Sequence, residues 1–469
     1  MRLAIVTVYD SIVNYGSYLQ AYALNKVLIN MGHEVYFIER MEEKEILNRF
    51  DNLCVIQNQI PKNRNLRKLR QISRKIKIKR EQLANIHRFN QFKNDWKEFK
   101  IINISEIKNY KIDALICGSD EIWNINNKDI DFNFYSCEWE HSLPKLAYAI
   151  SSGTTKKEEL LQLKGSIDAI GDFDIILPRD NATQQLILKI TGQNCNEVCD
   201  PTILLGRDNY PQINCEKNYG NYLLVYSYYI RKKERAFILK YAKEHKLKII
   251  SPCIYFEDAD ENIFVPSLEF PTLIKNANCV FTTTFHGTIF SLMFAKRLCC
   301  LSRLPKISDL IEKCNAKNTI LPENASYEQF CEIMSNDLDH IEIESQMSEM
   351  KQLSKSCLLD GLNQLENKKH KPIGTLKQTY PKIYYGKTCN NDVLKKSSSG
   401  GLFYELAQSV LKDGGVVFGA VYNAQKHLVY HESTEKVALN DLMRSKYVES
   451  QIGNTYQQII DFLKEGRKV

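Results

Sequence analysis

None of the 14 cysteines forms a CxxC pair; the nearest approaches are Cys195 with Cys199 and the adjacent Cys299 and Cys300. Structural metal sites draw their ligands from such pairs, so no metal is expected, and the cysteines read as buried free thiols of a reducing compartment. Long apolar runs are also missing. Nothing approaches the roughly 18–20 residues that cross a bilayer, and the start, Met1-Arg2-Leu3-Ala4-Ile5-Val6, is strand-like instead of a cleavable signal. These absences lead to the expectation of a cytoplasmic protein. After the first strand only Gly16 stands where a dinucleotide fingerprint wants three glycines, which argues against a nicotinamide enzyme. No short repeat of fixed period is present.

What is there is an ordinary globular composition, 43% hydrophobic and 25% charged, over 469 residues, enough for two or three domains. The net charge of +7 is local: residues 62–80 hold ten Lys or Arg and no acid. Leu66, Leu69, Ile72 and Ile76, then Leu83, Ile86, Phe89, Phe92, Trp96 and Phe99, recur every three or four residues, which predicts amphipathic helices over about 60–100. Their basic side is either a solvated helix face or a patch for an anionic membrane surface or glycan carrier, placing the protein at the inner face of the membrane. No nucleic-acid-binding module accompanies the charge.

Strand-like runs and helical periodicities alternate. Residues 3–8 predict a strand, 16–31 a helix stopped by Gly32, and 35–38 a second strand; further strands are predicted at 112–117, 145–150 and 175–177. A second block starts after the polar break at 206–220, with strands at 222–226, 248–251, 279–283 and 298–301 separated by helices at 231–245, 269–276 and 287–295. The pattern predicts an α/β fold of two doubly wound, Rossmann-like lobes facing a cleft: 1–205, and 216–365 with a helical tail from about 307. Residues 366–381, rich in Lys, Gly and Pro, read as a linker.

In parallel α/β sheets the binding crevice lies beyond the carboxyl ends of the strands, which gives priority to the polar turns at 10–20, 118–124, 177–180 and 282–288. Thr284-Phe285-His286-Gly287-Thr288 joins a strand to an apolar helix. A helix start offers amides and partial positive charge to an anion, Gly287 permits close backbone approach, and Thr284 and Thr288 add hydroxyls. His286 brings a side chain that exchanges a proton near neutral pH, although a histidine at such a point also caps helices. Arg179 opens another helix at a strand end, with a guanidinium suited to phosphate or carboxylate, or to a surface ion pair. Asn14, Tyr15 and Gly16 form the turn after the first strand. Ser119 and Asp120, with Glu121, form another, where the acids serve as a base, bind hydroxyls, or cap a helix.

Six blocks then make a resemblance specific. Asn14-Tyr15-Gly16 with Leu19-Gln20-Ala21-Tyr22-Ala23-Leu24, Gly118-Ser119-Asp120-Glu121-Ile122-Trp123-Asn124, Lys145-Leu146-Ala147-Tyr148-Ala149, Arg179-Asp180, Asp200-Pro201-Thr202 and Phe285-His286-Gly287-Thr288 stand in that order. Together they resemble the polysaccharide pyruvyl transferase family over about 1–365. The resemblance implies a glycosyltransferase-B-like fold, phosphoenolpyruvate as donor with no further cofactor, and transfer of a pyruvyl group to a sugar of a cell-surface polysaccharide or its lipid-linked precursor. It further implies His286 as acid/base and Arg179, Thr284, Gly287 and Thr288 around the donor; Asn14, Tyr15, Gly16, Ser119 and Asp120 are expected at the acceptor or elsewhere in the cleft. Some relatives carry an arginine two residues before the histidine, where Thr284 stands here. A nucleotide-sugar glycosyltransferase would use the same two-lobed architecture.

Residues 382–469 differ in character. Lys395-Lys396-Ser397-Ser398-Ser399-Gly400-Gly401-Leu402-Phe403 precedes an apolar helix, followed by Gly414-Gly415-Val416-Val417-Phe418-Gly419-Ala420 and Arg444-Ser445-Lys446-Tyr447-Val448. This segment resembles the amino-terminal part of the beta-subunit family of the coenzyme F-420 hydrogenases and dehydrogenases. That resemblance implies flavin as a cofactor and an electron-transfer role, and a truncated domain, since no ferredoxin-like cysteine cluster follows.

Overall fold

The computed structural model describes residues 1–9, 14–39, 90, 92–128, 130–163, 165–211, 218–254, 256–302, 305–369, 387–397, 401–423, 428–443 and 450–469. The chain forms two compact units, Met1–Ile373 and Gly374–Val469.

The first unit contains two parallel sheets. β1 (Arg2–Val6), β2 (Glu34–Ile38), β3 (Ile101–Ile102), β4 (Ala114–Cys117), β5 (Lys145–Ile150) and β6 (Ile175–Pro178) assemble in the order β3-β2-β1-β4-β5-β6. β7 (Tyr222–Tyr226), β8 (Lys248–Pro252), β9 (Glu261–Ile263), β10 (Cys279–Thr282) and β11 (Arg297–Cys300) assemble as β11-β10-β7-β8-β9. Every neighbouring pair in both sheets is parallel. Strands such as β4 (Ala-Leu-Ile-Cys) and β7 (Tyr-Leu-Leu-Val-Tyr) are buried on both faces, as central strands of a helix-covered parallel sheet must be. Two strands, β3 and β9, are too short or too polar to be legible in the sequence.

This topology fixes where a ligand crevice lies. The chain reverses its winding between β1 and β4 in the first lobe and between β7 and β10 in the second, and each reversal splays the connecting turns apart at the carboxyl ends of the strands. The turns singled out above therefore fall at the two switch points. Helix α1 (Tyr15–Asn30) follows β1 and is buried over most of its surface, because it packs against the helices Pro201–Leu205 and Phe285–Met293. Tyr15 stacks on Phe270 of the second lobe at 4.9 Å, and its hydroxyl accepts from the Val265 amide at 3.1 Å.

The tail comprises the helices Pro305–Lys313, Tyr327–Ser335 and His340–Lys369. The last returns to the first lobe, where Ser354 Oγ accepts from the Cys199 amide and Lys368 pairs with Asp174. It extends to Lys369, into the stretch read as linker; the remainder of that stretch to 381 lies outside the described residues. So do residues 62–80 and the apolar positions from Leu66 to Phe89. Phe92, Trp96 and Phe99 are described and buried in the core.

The second unit holds β12 (Phe418–Asn423), antiparallel to β13 (Leu428–Ser433), which pairs in parallel with β14 (Ser450–Gln451). Helices Asn391–Lys396, Leu402–Lys412, Leu439–Leu442 and Thr455–Lys464 accompany it. Residues 398–400 and 444–449 lie outside the described residues. Among the described residues no helix is long and apolar enough to cross a membrane, and no cluster of three metal-ligating side chains is present.

Candidate active site

The second-lobe switch point is built around threonines. Thr282 ends β10, and its hydroxyl bonds the Tyr226 carbonyl at the end of β7 at 2.6 Å and the Thr284 hydroxyl at 2.9 Å. Thr284 caps the helix Phe285–Met293 by accepting from the Gly287 amide at 3.1 Å. Thr288 is fully buried and bonds back to the Thr284 carbonyl at 2.9 Å. A Cβ at position 287 would fall 2.4 Å from Thr282 Oγ1 and 2.6 Å from Thr284 Oγ1. Thr284, Gly287 and Thr288, expected around the donor, also hold the turn: Thr284 caps the helix, Gly287 makes room for the threonine pair, and Thr288 is buried against its own helix.

What this turn presents is His286, which is buried and whose Nε2 lacks a hydrogen-bond partner. Nε2 faces Asp200 Oδ1 at 3.6 Å, an ionic contact just beyond hydrogen-bond length. The other side of the imidazole packs on α1, where Gly16 leaves space that a Cβ would take, 2.0 Å from Nδ1. Asn14 caps α1 by accepting from the Gly16 amide at 2.9 Å, and the Tyr226 hydroxyl stands 3.5 Å from the same oxygen. Gly16 thus lies against His286 and Asn14 caps the same helix start, whereas Tyr15 packs between the lobes.

Asp200, fully buried at the start of the helix Pro201–Leu205, links the two lobes' contributions. Its Oδ1 accepts from the Thr202 amide and hydroxyl at 3.0 and 2.7 Å, and its Oδ2 from Arg179 Nη1 at 2.8 Å. Burial opposes its ionisation, but the charges of His286 and Arg179 and the Thr202 amide together hold its carboxyl well below the usual carboxylate range. Asp200 stands in the Asp200-Pro201-Thr202 motif, and the sequence alone assigns it no role. Its signal was the Asp-Pro-Thr order, the pattern of a capped helix start with proline in the first turn.

Arg179 is not a surface ion pair. Its buried guanidinium also meets Asp120 Oδ1 at 3.4 Å and lies 4.5 Å from the Phe285 ring centre, while its Nε has no hydrogen-bond partner. Asp120 sits beyond β4 with φ of +85°, in the left-handed region, uncommon for a side-chain-bearing residue. Burial raises its pKa, but Lys306, Arg179 and His286 lower it further, so the net shift is downward. Ser119 is fully buried, and its amide and hydroxyl both donate to Gln20 Oε1 at 3.0 Å, so it ties the β4 turn to α1. Lys306, which no motif marked, reaches Glu121 at 2.8 Å and Asp120 at 3.9 Å and lies 5.0 Å from the Phe285 ring centre. Beside these groups opens a pocket of about 180 Å³ whose lining includes Arg179, Asp200, Phe285, Lys306, Lys313 and Ser354.

The arrangement combines a buried imidazole, two cations and three carboxylates. It suits acid/base chemistry on a small anion. Several solved structures are similar to the chain at low identity. One is a putative UDP-N-acetylglucosamine 2-epimerase from Listeria monocytogenes (9% identity, TM-score 0.45, 78% of this chain and 97% of that chain covered). Another is the UDP-GlcNAc 2-epimerase of Methanocaldococcus jannaschii in complex with UDP-GlcNAc and UDP (12%, 0.42, 78% and 100%). A third is Glycyrrhiza uralensis UGT73P12 complexed with glycyrrhetinic acid 3-O-monoglucuronide (8%, 0.41, 78% and 96%). No curated protein matches the chain. The family model for polysaccharide pyruvyl transferase matches residues 14–305, more than half of the chain and the span that contains α1, Asp120, Arg179, Asp200 and His286. The chain belongs to the polysaccharide pyruvyl transferase family.

Proposed function

We propose that the protein transfers a pyruvyl group from phosphoenolpyruvate to hydroxyls of a sugar in a cell-surface polysaccharide or its precursor. The observation that carries this reading is the buried chain of contacts from His286 through Asp200 to Arg179, beside a pocket that Asp200, Arg179 and Lys306 line.

In the reaction, Arg179 and Lys306 supply the positive charge that an enol phosphate with a carboxylate requires, and the ligand's oxygens replace Asp120 and Glu121 as their partners. His286 gives a proton to C3 of the enol while a sugar oxygen bonds to C2, leaving a tetrahedral carbon that still carries phosphate. The C2–O bond to phosphate then breaks with its electron pair on the departing oxygen, and a second sugar hydroxyl bonds to C2 to close the ketal. Of the two hydroxyl protons, one restores His286 and the other leaves with phosphate, with Asp120 and Glu121 as the relay.

Ligand-linked stabilisation tests the donor. Phosphoenolpyruvate should raise the unfolding temperature, and a UDP-sugar should not; the opposite pattern would favour the glycosyltransferase reading. For residues 382–469 the resemblance to the F-420 hydrogenase beta-subunit family makes flavin the ligand to examine, and flavin absorbance in the purified protein checks it. The basic stretch at 62–80 remains the segment for peripheral contact with an anionic membrane or a lipid-linked acceptor, tested by sedimentation with anionic vesicles.

A further inference from the structure

Gln20 is fully buried in the second turn of α1, and polar groups surround its carboxamide. Its Oε1 accepts from the Ser119 amide and hydroxyl, both at 3.0 Å. Its Nε2 lies 2.8 Å from the Val8 carbonyl, 2.8 Å from the Ser17 carbonyl and 3.0 Å from the Thr7 hydroxyl, which itself donates to the Ser119 carbonyl at 3.1 Å. A backbone amide can only donate and a backbone carbonyl only accept, so the side chain fits one way round: oxygen on the β4 turn, nitrogen on the end of β1 and on α1.

Each half leads to a group of the candidate site. On the nitrogen side, the Ser17 amide and hydroxyl bond the Asn14 carbonyl at 3.2 and 2.8 Å and shape the first turn of α1, where Gly16 meets His286. On the oxygen side, Ser119 directly precedes Asp120, whose carboxylate meets Arg179 at 3.4 Å and Lys306 at 3.9 Å. Asp120 keeps its φ of +85°, and a side-chain-bearing residue stays in that region only where its surroundings fix it. The Ser151 amide holds the Asp120 carbonyl at 2.9 Å on one side, and Gln20 holds the preceding residue on the other. Building on the pyruvyl-transfer reading, we infer that Gln20 is a positioning residue for the reaction: a single carboxamide sets both the α1 start that seats His286 and the β4 turn that carries Asp120 to Arg179 and Lys306.

The two halves can be tested apart in the full chain. Gln20→Glu keeps an oxygen for Ser119 and loses the N–H donors, whereas Gln20→Met keeps the length and loses both. A misplacement of about 1 Å costs on the order of 10²-fold in rate, so Gln20→Glu should lose turnover by about 10- to 100-fold, with KM for phosphoenolpyruvate within about threefold of wild type. Gln20→Met should lose turnover similarly and also raise that KM by about tenfold. Thr7→Val removes only the bridging hydroxyl and is the milder variant should the others unfold; it should lose turnover by about threefold or more, with Thr7→Ser restoring it. Thermal melts alongside establish that each variant is folded at the assay temperature. Lower melting temperatures with wild-type kcat and KM in the folded variants would show a network that serves the fold alone and overturn the inference, as would equal effects of Gln20→Glu and Gln20→Met on KM. Absence of pyruvyl transfer in the wild type would instead remove the transfer reading. The positioning role then rests on phosphoenolpyruvate affinity read by thermal shift, which Gln20→Met should weaken and Gln20→Glu retain.

Discussion

Gly16 and His286 are in direct contact across the two lobes: the imidazole occupies the space where a side chain at position 16 would begin, 2.0 Å from Nδ1. The amino-terminal lobe therefore forms part of the histidine's socket, and His286 can hold its place only while the start of α1 remains bare.

Gly16→Ala should accordingly lower turnover by about 10²-fold or more, the scale of a lost acid/base group, because His286 must move. Overpacking costs about 1–3 kcal/mol, so the melting temperature should fall modestly. Steady-state kinetics with phosphoenolpyruvate, together with a thermal melt, check both. Wild-type turnover in a folded Gly16→Ala variant would show that the contact is not part of the catalytic geometry.

Asp200 predicts a pH dependence of stability. Its carboxyl is held below the unfolded value, so it binds fewer protons in the folded chain than in the unfolded one. Its contribution is complete above the ordinary carboxylate pKa near ~4 and is lost as pH falls from there toward the depressed folded value. Asp200→Asn should be less stable at pH 7 by about 3–5 kcal/mol, as when one partner of a buried ion pair is removed, and the gap to wild type should narrow below about pH 4. Urea denaturation at several pH values measures this.

The threonine turn yields a pair of stability predictions. Thr284→Ala removes a helix cap and should cost about 1 kcal/mol, with Thr284→Ser retaining most of it. Gly287→Ala should cost about 1–3 kcal/mol by crowding Thr282 and Thr284. Calorimetry of the three variants decides; an unchanged melting temperature for Gly287→Ala would mean the threonine pair can shift without cost.

Lys306→Ala should weaken the donor by about tenfold or more, since a charged hydrogen-bond partner contributes about 1.5–3 kcal/mol, with a smaller effect on acceptor binding. Titrating phosphoenolpyruvate in thermal-shift measurements reads this without requiring turnover.

The sequence made the strands and the positions of the turns legible because buried parallel strands are short apolar runs and their carboxyl ends are punctuated by Gly, Asp and Thr. His286 could be singled out for the same reason. Its neighbourhood could not. Arg179 and Asp200 are 21 residues apart and meet only because β6 and the Pro201 helix converge, and Lys306 reaches Asp120 and Glu121 over nearly two hundred residues. Threonines in a polar turn look like ligands in one dimension. Only burial shows that Thr288 bonds its own helix while His286 remains with an unsatisfied nitrogen.

The most direct measurement incubates the purified protein and its His286→Gln variant with phosphoenolpyruvate and a sugar acceptor, following inorganic phosphate and the mass of the sugar product. The account predicts phosphate release matched by a pyruvyl-bearing sugar in the wild type, and loss of both by about 10²- to 10⁴-fold in the variant. Equal product from both proteins, or phosphate release with no pyruvyl group on any sugar, would contradict it.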